Sequence, residues 1–396
     1  APKHRLKATI RLGSPVSCFR PDLVLIPSAL CARTIPISLD RPYRTNRRYV
    51  VIVVWDKSHI ASAIRIEWTP TTCLERNEPA MSSVEDRERE IMLELVRVTE
   101  TAALRAARCM GMGDCNLVDD AAVDGMRGML SLININGTIV IGEGEKDQAP
   151  MLYCGERVGT GRDECDVDLA VDPVEGTRLV ANGLPNAISV MVVANRGTLM
   201  PVPTFYMHKI AVGPEARDYI DINAPVRENL RVVAAALGRK VRDLTVVILN
   251  RPRHDQLISE VRECGARIKL IQDGDVAAAI STALPDTGVD MLMGIGGAPE
   301  AVLTAAAIKC LGGELQTKLW IRDDEDAARA RERGFDDTER VYSSEDLARG
   351  NSIVFAATGI TDGDMLQGVR YYGQKATTES IVMRMLTGTV RRVHTT

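Results

Sequence analysis

The sequence predicts an α/β protein, two α/β halves behind an N-terminal extension, on three observations. Past residue 244, short apolar strand-like runs alternate with helical stretches, the rhythm of a sheet covered by helices. Between 82 and 243, strand-like runs bounded by Gly, Asn or Asp follow two amphipathic stretches of helical period. Residues 1–81 show neither rhythm and carry a different charge: 13 Lys/Arg against 6 Asp/Glu in residues 1–80, where the remainder has 36 against 47. The expected division is therefore 1–81, a basic extension; 82–243, one α/β half; and 244–396, the other.

Taken in order, the extension is Arg-rich with proline turns and one strand-like run at 49–55. An organellar transit peptide would be poor in acidic residues, so the six acids and the apolar run count against one; a start codon placed too far upstream, or an expression artefact, is the alternative. Ser82 and Ser83 before Glu85 and Asp86 mark a helix start. One long amphipathic helix is expected over 88–110, closing at Gly111, and a second over 119–132. Strands are expected at 138–142, 167–171 and 187–193, then at 244–249, 267–271, 289–293 and 352–356, with helices at 254–264, 275–283 and 299–311.

Composition excludes several functions. The acidic body argues against nucleic-acid binding, which needs clustered Lys/Arg, and 15 aromatic residues supply few stacking platforms. The longest apolar runs fall well short of the ~20 residues that span a bilayer, so no membrane partner is expected. Nine scattered cysteines without a C-x-x-C pair fit a reducing, cytoplasmic compartment. With five histidines and no H-E-x-x-H, any catalytic metal must be held by oxygen, which points to Mg²⁺ or Mn²⁺.

Four segments place carboxylates beside glycines at element ends. In Asp166-Val-Asp-Leu-Ala-Val-Asp-Pro-Val-Glu-Gly-Thr177, an apolar strand delivers Asp172, Pro173 breaks it, and Glu175 follows three residues on. Two such carboxylates can share a divalent cation, and Gly176-Thr177 opens a helix N-terminus suited to a phosphate. Ile139-Val-Ile-Gly-Glu-Gly-Glu-Lys-Asp147 has the same design, with Glu143, Glu145 and Asp147 displayed on a loop; a solvated acidic hairpin is the plainer alternative. Asp119-Asp120 begins a helix, as N-cap or as ligand. Met293-Gly-Ile-Gly-Gly-Ala-Pro-Glu300 is a third strand-to-glycine-to-helix junction, and its spacing does not fit a dinucleotide fingerprint. Asn250-Arg-Pro-Arg-His254 offers cationic groups for a second phosphate. Oxygen-ligated Mg²⁺ or Mn²⁺ acting on a phosphate ester is the economical reading.

These motifs, with Ala149-Pro-Met-Leu-Tyr153 and Asp273-Gly-Asp275, resemble class II fructose-1,6-bisphosphatase from about 84 to 394, and the D-P-x-E-G-T element is similar to that of the wider lithium-sensitive phosphatases. The resemblance implies a layered α-β-α-β-α sandwich of the sugar phosphatase type and metal-dependent hydrolysis of the 1-phosphate of fructose 1,6-bisphosphate, a gluconeogenic step. It implies metal ligands at Asp119, Glu143, Asp172, Glu175 and Glu300. Substrate contacts fall on Glu175, Gly176, Thr177, Tyr206, Arg251, Pro252, Arg253, Asp273, Gly274, Asp275 and Gly297, and activation of the water on Thr177 with Asp147. The partners it implies are a small sugar bisphosphate and further copies of the chain, as dimer or tetramer.

The family's G-D-K-N reads Gly113-Asp-Cys-Asn116 here, so a lysine beside the metal loop is missing, and the stretch between about 318 and 338 looks shortened. Two further readings stand beside the main one: a dual fructose-1,6/sedoheptulose-1,7-bisphosphatase, and a catalytically weakened metabolite-binding homologue. The run near 203–206 and Tyr371-Tyr372 read as core, with an interface between copies as the alternative.

Overall fold

The structure, a computed structural model, describes residues 50–55, 61–66, 83–144, 151–161, 166–202 and 205–396. The chain forms two compact units, residues 1–78 and 79–396. In the first, β1 (Val50–Trp55) pairs antiparallel with β2 (Ala61–Ile66), so the strand expected at 49–55 is present; the rest of that extension lies outside the described residues.

The second unit opens with α1 (Ser83–Ala107) and α2 (Cys115–Leu130), followed by β3 (Asn136–Ile141), β4 (Arg157–Val158), β5 (Asp166–Glu175), the single turn-and-a-half α3 (Thr177–Ala181), β6 (Ile188–Asn195) and β7 (Tyr206–Val212). After α4 (Val226–Ala236) come β8 (Thr245–Leu249), α5 (Asp255–Glu263), β9 (Arg267–Ile271), α6 (Val276–Ser281), β10 (Met291–Gly297), α7 (Ala298–Leu311), β11 (Glu314–Trp320), α8 (Asp324–Glu332), β12 (Val341–Ser343) and α9 (Ser344–Leu347). The chain closes with β13 (Ile353–Gly359), β14 (Arg370–Tyr372), β15 (Lys375–Arg384) and β16 (Thr389–Thr395).

Two mixed sheets result. The first runs β14-β15-β13-β6-β5-β3-β4, with β16 on β15; the second runs β12-β11-β7-β10-β8-β9. Neither draws on one side of residue 243 alone. β7 sits in the middle of the second sheet and β13 to β16 belong to the first, because periodicity reveals a strand but not its partner. The strand–helix rhythm after 244 does give parallel pairs, β8 with β9 and with β10, whereas β7 and β11 run antiparallel.

Alternation along the strands sorts three apolar clusters into layers. On β6, Val190 and Val192 face one cluster and Met191 and Val193 another; α1 and α2 cover the latter. The face carrying Val190, and Met207 and Ala211 of β7, closes on α6, α7 and α9. Ile210 and Val212 of β7 face α4 and α5. The order is helix, sheet, helix, sheet, helix, the five-layer sandwich expected. α7 is buried all round since both sheets close over it, which is why its sequence is apolar on every side.

Three local expectations are corrected. The second helix starts at Cys115, not at Asp119: Asp114 is the N-cap, accepting from the Leu117 N–H at 3.1 Å, which puts Asp119 in the second turn. Pro173 does not end its strand; β5 continues to Glu175 through a register shift, where the missing proline N–H costs no ladder bond. Tyr371 and Tyr372 are 40% and 48% exposed, not core: β14 is an edge strand, and Tyr371 donates to the Leu104 carbonyl beneath the Arg108 guanidinium. Of the run near 203–206, Phe205 is buried and Tyr206 is exposed; 203 and 204 lie outside the described residues.

Candidate active site

The site is built at the strand end where β3, β5 and β10 stop. Across the bulge of β5, Asp172 accepts from the Val174 N–H at 3.0 Å. Glu175, buried, accepts from the N–H of Val276, the first residue of α6, at 2.8 Å, joining the end of β5 to the second α/β half. Gly176 takes φ 93°, a left-handed turn that L side chains resist, and starts α3. Thr177 Oγ1 then donates to Asp119 Oδ1 at 2.6 Å, so α2 and α3 are linked through two residues proposed for catalysis.

Glu143 leaves the end of β3 on a loop held from behind. Its N–H donates to the Leu152 carbonyl at 3.0 Å, and Leu152, buried, sits at φ 56°, an unusual conformation for a branched residue. The Leu152 N–H is taken by the Glu156 carboxylate, which Arg127 of α2 grips at 2.5 Å. Glu145 and Asp147 lie outside the described residues.

At the third junction, Glu300 occupies the first turn of α7, where the helix end favours an anion. A Cβ at Gly297 would strike its carboxylate, and one at Gly296 would strike Asp275, so glycine here leaves both carboxylates where they stand. Asp275 is paired with Lys209 Nζ at 2.7 Å, both side chains being almost wholly buried. Lys209 shares its strand face with Met207 and Ala211, towards the central layer, and is the site residue that the motifs missed. A lysine at the apolar parity of a strand is the signal that would have found it.

Crowded carboxylates with one buried ammonium leave their mark on ionisation. Its desolvating surroundings, then the charges of Asp119 and Glu300, push Glu143 up to about 7, although the residue as a whole is exposed, and solvent there screens the effect. Burial, then Asp275 and Glu300, push Glu175 up to about 8. Asp172 is raised well above the carboxylate range by burial and by Glu175, Glu143 and Glu300. Glu300 is raised by burial with Lys209 opposing, and Asp119 by burial with the Thr177 hydrogen bond opposing.

Beside this cluster stand the cationic residues. Arg251 Nη2 bonds Asp273 Oδ1 at 2.9 Å, and Arg178 reaches the other oxygen of Asp273 at 3.2 Å. Pro252 opens a short 3₁₀ turn through Arg253 and His254. Arg253 donates to the Ile295 carbonyl at 2.9 Å and lies 5.0 Å from the Tyr206 ring centroid. Gly274 turns at φ 69° between Asp273 and Asp275. His254, the last residue of that segment, turns away from the arginines' role. It is buried, Nδ1 lies 2.8 Å from the Leu249 carbonyl, Nε2 accepts from the Ile295 N–H at 2.7 Å, and burial lowers its pKa. It staples the arginine turn to β10.

The donor set suits a hard cation: carboxylates without thiol or imidazole, pKa values raised first by burial and then by neighbouring carboxylates, and Glu300 Oε2 buried with no hydrogen-bond partner. Among the described residues no three His, Cys, Asp or Glu side chains already converge as a closed cage. The chemistry of the residues therefore fits a divalent cation, with side-chain adjustment needed to close on it.

Five layers with carboxylates gathered at strand ends beside glycine turns and arginines describe a phosphoric monoester hydrolase of the sugar-phosphatase type. The chain belongs to the family described as "Bacterial fructose-1,6-bisphosphatase, glpX-encoded", whose profile matches residues 89–396. It is similar to the fructose-1,6-bisphosphatase 1 class 2 of Escherichia coli K12, 48% identical over 318 residues that cover 77% of this chain and 94% of the relative. The fructose-1,6-bisphosphatase class 2 proteins of Escherichia coli O6:H1 and Shigella flexneri match with the same identity and coverage. No helix among the described residues is long and apolar enough to cross a membrane.

Proposed function

We propose that the protein hydrolyses the 1-phosphate of fructose 1,6-bisphosphate to fructose 6-phosphate and phosphate, as a gluconeogenic enzyme dependent on Mn²⁺ or Mg²⁺. The observation that carries the reading is the pairing of a buried carboxylate cluster with an arginine turn across one glycine strand end. Asp119, Glu143, Asp172, Glu175 and Glu300 would hold the cation. When bound, it would offset their repulsion and polarise the phosphoryl oxygens.

The chain's own residues supply the rest. Because the Thr177 hydroxyl donates to Asp119, its lone pairs are left to accept from an attacking water and aim it at phosphorus. The resemblance puts Asp147 behind Thr177 in a supporting role; Asp119 is the carboxylate partner among the described residues. By strand parity Lys209 faces the central layer while Tyr206, with Ile210 and Val212, faces outward. A bisphosphate would thus pass from the carboxylates over the bare backbone of Gly296 and Gly297 to Arg251 and Arg253. Those guanidiniums would grip the distal phosphate, pre-aimed by Asp273 and the Ile295 carbonyl.

The bacterial relatives support a cytoplasmic setting, and a dimer or tetramer belongs to the same proposal. Phosphate release from fructose 1,6-bisphosphate, sedoheptulose 1,7-bisphosphate and inositol phosphate, each with Mn²⁺ or Mg²⁺, tests the assignment. Release from the first substrate at the highest kcat/KM is expected; preference for inositol phosphate would refute it.

A further inference from the structure

One register row crosses the second sheet at its site end. Gly297 of β10 lies opposite Tyr206 of β7, and Tyr206 lies opposite Trp320, the last residue of β11. The first two were already assigned to substrate; the row continues one strand further. Trp320 is half-buried and meets the Tyr206 ring edge to face, centroids 6.0 Å apart and planes 88° apart. The Tyr206 ring also carries the Arg253 guanidinium, 5.0 Å from its centroid. The three groups are in contact in sequence, tryptophan to tyrosine to arginine, and the arginine is anchored to backbone at the Ile295 carbonyl.

Tyr206 is 41% exposed, so packing alone does not fix its ring. An edge-to-face neighbour does, because the positive ring edge meets the negative ring face in one orientation only. That orientation in turn decides where the cation over the ring rests. The geometry points to Trp320 as a positioning residue for the distal phosphate, acting through Tyr206 on Arg253. This rests on the reading that Tyr206 and Arg253 meet the substrate. Among the described residues the side-chain interaction of Trp320 is with Tyr206 and not with the carboxylate cluster or Thr177, so it governs binding of the ground state and not the chemical step.

The test compares the full chain with Trp320→Phe and Trp320→Leu. Leucine fills apolar volume but has no ring edge; phenylalanine keeps one. Expected are a KM for fructose 1,6-bisphosphate raised about three- to tenfold in W320L, within about twofold of the parent in W320F, and kcat within about twofold in both. A parental KM in W320L, equal damage in both variants, or a loss confined to kcat would overturn the assignment. A parent protein that releases no phosphate would overturn the functional reading instead. A second readout needs no folded W320L. With cations chelated, fructose 1,6-bisphosphate is titrated into parent and W320F while tryptophan emission is followed, the W320F signal removing Trp55 and Trp68. A saturable change assigned to Trp320 is expected; none would count against it.

Discussion

Lys209 Nζ and the Asp275 carboxylate meet at 2.7 Å inside the protein, where buried acids from different elements crowd together. A charge there is tolerated because it is paired. Lys209→Met removes the cation and leaves Asp275 beside Glu175 and Glu300 uncompensated. The expected loss is about 3–5 kcal/mol in urea unfolding of the metal-free protein. Unchanged stability would show that the pair carries no such burden.

Ionisation of the same cluster sets a pH dependence. Glu143 and Glu175 have folded values raised to about 7 and about 8 from an ordinary value of 4.5. The folded state therefore holds protons that the unfolded state has lost, so stability present below about pH 4.5 is lost as pH rises through 7 and 8. Metal-free protein should melt at progressively lower temperature from pH 5.5 to 8.5. Added Mn²⁺ should flatten that slope, and cation affinity should rise with pH over the same window, since ligands must be deprotonated. A melting temperature that climbs with pH in the absence of metal would contradict the assignment.

Thr177 and Asp119 separate chemistry from folding. Thr177→Val keeps the shape and deletes the hydroxyl that donates to Asp119. Turnover should fall on the order of 100-fold, while stability drops only about 1 kcal/mol, the worth of one hydrogen bond. Thr177→Ser, keeping the hydroxyl, should retain most activity. Comparable kcat in the valine and serine variants would remove Thr177 from the reaction.

The loop of Glu143 depends on a residue outside every motif. Glu156 accepts the Leu152 N–H and is held by Arg127, while the Leu152 carbonyl receives the Glu143 N–H. Glu156→Gln weakens the ion pair but keeps the size. The Glu143 and Leu152 amides should then exchange with solvent distinctly faster, with a stability loss of about 1–3 kcal/mol. Unaltered exchange at both amides would place the support of this loop elsewhere.

What could be read from the chain follows from range. Elements whose signal is local were legible: β9 stands where the apolar run predicts it, and α7 begins at the glycine-proline junction before Glu300. Asp172, Glu175, Thr177 and Glu300 could be singled out as candidates because strand-end carboxylates next to glycine form local patterns. The start of α2 was misplaced since Asp119-Asp120 looks like a cap as much as Asp114 does, and only backbone geometry separates them. Lys209 and Trp320 were invisible for another reason. Each acquires its meaning from a residue on a different strand, Asp275 or Tyr206, and sheet order cannot be read from period. The arginine turn was half legible: Arg251 and Arg253 face the site, but His254 turns inward as a staple.

The most direct measurement is phosphate release from fructose 1,6-bisphosphate in Mn²⁺ by the parent and by Glu175→Gln, with circular dichroism confirming the fold. Glutamine still accepts the Val276 N–H but removes one charge from the cluster. The account predicts release by the parent that stops on chelation and falls by at least about 100-fold in the variant, with Mn²⁺ affinity weakened in parallel. Full activity and parental Mn²⁺ affinity in Glu175→Gln would contradict it.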